Sequence, residues 1–177
     1  MGILLELLGL VVAVALALGA LKRNGVDIGW LNPFTFFHRL RWKQKSTIPP
    51  LYALDHPIDV VAVLALAAVQ TSGIVTSKQK EGVQALLCQH LSIDAEEANK
   101  LWILSSHLLR HRALDAREVP GVLEKSADKF SEYHQKTLMT VVRAAIAIEP
   151  PENAAQSELV AAIEAYFQKR RAAPAAW

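Results

Sequence analysis

Only one cysteine, Cys88, stands in the 177-residue chain, so no intramolecular disulfide braces it. The thiol lies among Leu86, Leu87 and Leu91, which makes a buried, reduced side chain the simplest expectation. Sequence signatures of several chemistries are also missing. There is no G-x-S-x-G turn, no phosphate-cradling glycine loop, no dinucleotide glycine motif, no closely spaced cysteine pair and no H-E-x-x-H. The formal net charge is only +2, and much of the basic excess is crowded into residues 22–45, so no nucleic-acid face is expected. No stretch alternates apolar and polar residues in the way a half-buried strand does. The absences favour an all-α chain that is not an enzyme and carries no cofactor.

Hydrophobic residues, by contrast, are plentiful at 52% of the chain. Residues 3–21, ILLELLGLVVAVALALGAL, form an apolar run whose only charge is Glu6. That length spans a hydrocarbon core of about 30 Å as a helix. A cleaved signal peptide is the competing reading, with Ala17, Gly19 and Ala20 as small residues for a peptidase, but Lys and Arg are absent from the preceding residues. A retained anchor, residues 1–22, is therefore expected. Lys22, Arg23, Arg39, Arg41, Lys43 and Lys45 follow the run, and the positive-inside rule then puts the N-terminus outside and the rest in the cytoplasm, at a bacterial inner membrane.

Residues 23–53 change character. Trp30, Phe34, Phe36, Phe37 and Trp42 are interleaved with His38, Arg39, Arg41, Lys43 and Lys45, a composition suited to membrane lipid headgroups. Packing of the same aromatics on the domain or on a partner subunit is the equal alternative. Trp30, Phe34, Phe37, Arg39, Arg41, Trp42 and Lys43 are the candidate interface residues. Pro49 and Pro50 close this segment as a stiff linker.

A helical domain is expected over residues 54–171, with a tail at 172–177. Its first helix spans about 57–70, apolar nearly all round and so central in a bundle. After a turn containing Gly73, Thr76 and Gln79 have the spacing of a capping box and open a second helix to about residue 90. Asp94 opens a third, reaching about residue 111 with Ala98, Leu101, Leu104 and Leu108 inward. A short helix or turn surrounds Pro120-Gly121. A further helix is expected over 127–148, with Phe130, Tyr133, Leu138, Val141, Ala145 and Ile148 at core spacing, and a last one over 154–171. Shifting the chain by 77 positions lays Ala67 on Ala144, Ala68 on Ala145, Glu81 on Glu158 and Val83 on Val160. Two related helical hairpins, packed about a pseudo-twofold axis within a bundle of about five to seven helices, would produce that echo.

The A-x-x-A helix, the turn glycine, the β-branched Val75, the cap residue Thr76 and the second hairpin together resemble the TerB-like family, over about residues 55–169. That family includes tellurite-resistance proteins and the N-terminal domain of the membrane-anchored DjlA co-chaperones. The resemblance implies a turn reading A-D-G-x-I-S-x-E-E, whose acids are implicated in divalent-metal binding. Here Ser72 replaces the Asp, and Lys78 and Gln79 replace the two acids, so Gly73, Val75, Thr76 and Gln79 are read as architectural and no metal is expected there. His56-Pro57 lacks the following Asp that a J domain needs.

Two lesser groups complete the candidates. His107 and His111 share a helix face and would need a third ligand, such as Glu118 or His134, to hold zinc. Arg110, Arg112 and Arg117 would suit an acidic partner or simply line a solvated face. The leading expectation is a cytoplasmic-face protein-docking module. An accessory subunit of a larger membrane complex is the alternative, and a divalent-metal or tellurite-stress protein is the second.

Overall fold

The most apolar segment among the described residues decides the architecture. In the computed structural model, which describes residues 49–110 and 113–172, every described element is helical. Helix α1 is Pro57–Gln70. Proline in its first turn needs no amide partner, and Asp59 there meets the positive end of the helix dipole. All residues from Val60 through Val69 are at most 1% exposed, so α1 has no solvent face.

Five other helices follow it among the described residues. They are α2, Ser77–Leu91; α3, Ala95–Leu108; α4, Val119–Glu124; α5, Glu132–Ile146; and α6, Ala154–Ala172. Short 3-10 turns at Pro50–Ala53, Ala116–Glu118 and Ala127–Lys129 join them. Helix α1 packs against α5, α3 and α2 and touches α6, while α4 seats on α6 and on the turn at Pro50–Ala53. Side chains such as Leu87, Leu101, Leu138, Leu159 and Ile163 enclose the core.

Each boundary has a local cause. The Asp94 carboxylate accepts from the Glu97 amide at 2.7 Å and opens α3. Ser92, with φ of 54°, turns the chain out of α2. Helix α5 starts five residues later than the apolar spacing suggests, because Ser131 caps it by accepting from His134 N at 3.2 Å and Phe130 is extended. Tyr133 consequently falls in the first turn and is 65% exposed, which corrects its expected core role. On α3 the buried position after Leu101 is Ser105, whereas Leu104 and Leu108 are half-buried. Cys88 is also half-buried rather than enclosed.

No helix among the described residues is long and apolar enough to cross a membrane. The expected anchor at 1–22, the candidate interface residues from Trp30 to Lys43 and the tail after Ala172 lie outside the described residues.

If α1 carries the core, shortening it at the centre has a large cost. Leu64→Ala is expected to destabilise the protein by about 2–5 kcal/mol in chemical denaturation, with the exposed Gln168→Ala near zero.

Candidate functional site: the joint of the two hairpin turns

A helix leaves its last four carbonyls without internal donors, and a helix buried on all sides cannot hand them all to water. The turn after α1 answers that need. The Thr71 amide donates to Ala67 O at 3.2 Å, and the Thr71 hydroxyl donates to Ala68 O at 2.7 Å. The Ser72 amide and hydroxyl both reach Val69 O, at 3.3 and 2.7 Å. The Gly73 amide closes on Gln70 O at 3.0 Å, and its φ of 118° is one that a side chain would strain.

The other hairpin contributes to the same helix end. Gln156, only 2% exposed, sends its Nε2 to Ala68 O at 3.0 Å. Asn153 Nδ2 donates to Thr71 O at 3.4 Å. In return, the Thr76 hydroxyl donates to Glu149 Oε1 at 2.8 Å. Each cap residue thus reaches across to the turn of the opposite hairpin.

Both caps use one device. Thr76 N donates to Gln79 Oε1 at 3.0 Å while Gln79 N donates to Thr76 Oγ1 at 3.1 Å. Asn153 N donates to Gln156 Oε1 and Gln156 N to Asn153 Oδ1, both at 2.9 Å. The 77-position offset carries Thr76 onto Asn153 and Gln79 onto Gln156. Gln79 is 3% exposed, and its Nε2 donates to Ser72 Oγ at 3.3 Å. Gln79 therefore ties the cap back to the turn that precedes it.

The four turn residues picked out from sequence come together here. Gly73 makes the bend, Val75 is half-buried, and Thr76 with Gln79 form the cap. Between them Ile74 stands 96% exposed. Sequence reading missed Asn153 and Gln156, although their spacing and their offset from Thr76 and Gln79 were both available. It also missed Gly82, where an added Cβ would come within 2.7 Å of Ile148 Cδ1, so the isoleucine side chain packs on the bare backbone of α2.

The histidine pair is not assembled among the described residues. His107 is exposed on α3, and His111 and Arg112 lie outside them. Glu118 is engaged by Tyr52, whose hydroxyl donates to Oε1 at 2.5 Å. His134 is buried, with Nδ1 3.0 Å from Lys129 O. No group of three or more His, Cys, Asp or Glu placed to hold a metal occurs among the described residues. Comparison of the chain with known protein families, curated proteins and solved structures gives no match.

Some surface charges are paired, among them Arg143 with Glu164 and Lys136 with Glu132. Burial pushes the Asp55 carboxyl up, but the Lys129 ammonium 2.8 Å away outweighs it and leaves the group below its ordinary value. Hydrogen bonds from the Arg117 side chain and amide hold Asp115 down at about 2.

Two measurements follow. Asn153→Ala removes a cap and a tie between turns, and is expected to cost about 1–2 kcal/mol in denaturation, against about 1 for the cap at Asp94. A carboxyl NMR titration is expected to place the Asp115 midpoint at about 2, rising towards the ordinary carboxylate value of about 3.9 in Arg117→Ala. Since the folded value is depressed, the stabilisation from this pair is present above the unfolded pKa and is lost as the pH falls through about 2.

Proposed function

We propose that the chain is a membrane-anchored docking module of TerB-like architecture, tethered by residues 3–21, whose turn end recognises a partner protein. It is a binding module rather than an enzyme. The two hairpins are related by a pseudo-twofold axis, and the second has lost the glycine turn in favour of Pro150-Pro151.

The observation that carries this reading is the display of Ile74. A lone exposed isoleucine on a loose loop means little. This one sits between Gly73 and the Thr76 cap on a turn held by the hydrogen bonds of both hairpins. A rigid apolar tip loses little entropy on entering an apolar socket, which favours its use as an anchor. It also lies at the end of α1 remote from Pro57, about 20 Å along the helix from where the chain comes in. Confinement at a membrane surface raises the effective concentration of module and partner, so a small contact suffices.

The hydroxyls and amides of the turns support the same reading from the other side. Thr71, Ser72, Thr76, Asn153 and Gln156 are committed to carbonyls and caps. A hard cation would have to take its oxygen ligands from those bonds.

Purification of the full-length chain in mild detergent tests the proposal. Ile74→Asp is expected to remove the protein that co-purifies stoichiometrically with wild type, leaving the thermal midpoint and membrane retention unchanged. A wild-type chain that runs alone contradicts it. So does a partner retained by Ile74→Asp but stripped by changing Phe34, Phe37 and Trp42, the pattern of an accessory subunit held through residues 23–53.

A further inference from the structure

Helix α6 outlasts its counterpart in the first hairpin. The 77-position offset that lays Thr76 on Asn153 carries Leu91, the last residue of α2, onto Gln168, yet α6 continues to Ala172. Its two halves are also held differently. Gln156, Leu159 and Ile163 are at most 2% exposed, and Gln156 bonds to the end of α1. Over residues 165–172 one side chain is buried, Phe167, and everything after it is exposed.

The second half is moored to the end of α4 and the turn that follows it. The Phe167 ring meets Phe130 at 5.4 Å between centres. The Tyr166 hydroxyl donates to Glu124 Oε2 at 3.0 Å, and the Arg170 guanidinium donates to Asp128 Oδ1. Arg170 also hydrogen-bonds the Tyr166 oxygen, so the four groups form one chain, Glu124–Tyr166–Arg170–Asp128. Solvent reaches this chain, with the Asp128 side chain 91% exposed, and bonds of that kind are individually weak. A segment held by one ring and such a chain opens at low cost. About two turns of helix released from the bundle do not keep their helical form in water.

We propose that residues 165–172 open as one unit ahead of the rest of the bundle, and that the Glu124–Tyr166–Arg170–Asp128 chain sets how often they do. Opening uncovers Phe130 and Phe167, an aromatic pair about 16 Å along α6 from Gln156. The arm is a conformational device remote from the turn end, and it stands whether or not Ile74 docks a partner.

Amide hydrogen exchange resolved along α6, on the full-length protein in mild detergent, tests it. Tyr166→Phe removes the hydroxyl and keeps the ring beside Phe167. Asp128→Ala removes the far end of the chain without altering α6 itself. Each is expected to quicken exchange at 165–168 about threefold to fivefold, with 157–163 and α1 at their wild-type rates. Unchanged rates at 165–168 in either variant overturn the proposal, even if 169–172 quicken, because that pattern is ordinary fraying of a helix end. An equal rise in α1 also overturns it, since the opening is then global.

Discussion

Helix α1 is buried on every side, and this constraint organises the rest of the molecule. A segment such as DVVAVLALAAV cannot be stable in water until other helices cover it, and each enclosed Leu or Val contributes about 1.5–3 kcal/mol once they do. Helices α2, α3, α5 and α6 all contact it. Burial also creates a polar obligation at the helix end. Four carbonyls there must find donors inside the protein, and the Thr71-Ser72-Gly73 turn together with Gln156 supplies them.

That obligation explains the chemistry of the turns better than ligand binding does. Hydroxyls and carboxamides donate to carbonyls, which carboxylates cannot do when ionised. A turn that must satisfy Ala68 O and Val69 O is therefore served by Thr71, Ser72 and Gln156, and Glu149 receives the Thr76 hydroxyl. Gln79 and Gln156 are buried on these bonds, while Ser72 and Thr76 stay exposed on the turn beside the apolar Ile74. The exposed Ile74 on this hydrogen-bonded turn underlies the docking proposal.

Much of this was legible in the sequence, and the rest was hidden for definable reasons. The centrality of α1 follows from composition alone, and Thr76 with Gln79 carries a recognised local spacing. Asn153 and Gln156 form the same reciprocal pair, but Asn in place of Ser or Thr falls outside the usual template. Tyr133 looked like core because the apolar spacing continues back through Phe130. The Ser131 cap breaks the helix there, and Phe130 instead meets Phe167 at 5.4 Å between ring centres. The hydrogen bond of Tyr52 to Glu118 left no local signature, since the two are 66 residues apart. Contacts at that separation are fixed by the packing of α4, which sequence periodicity does not locate.

The central claim is that the two hairpin turns jointly satisfy the buried end of α1. Ala68 O tests it most directly, because one donor comes from each hairpin: the Thr71 hydroxyl and Gln156 Nε2. A double-mutant cycle with Thr71→Val and Gln156→Leu measures the dependence. Each single change leaves the carbonyl one of these two donors, whereas the double change removes both. The account predicts a double variant less stable than the sum of the singles by about 1 kcal/mol or more. Strict additivity would contradict it.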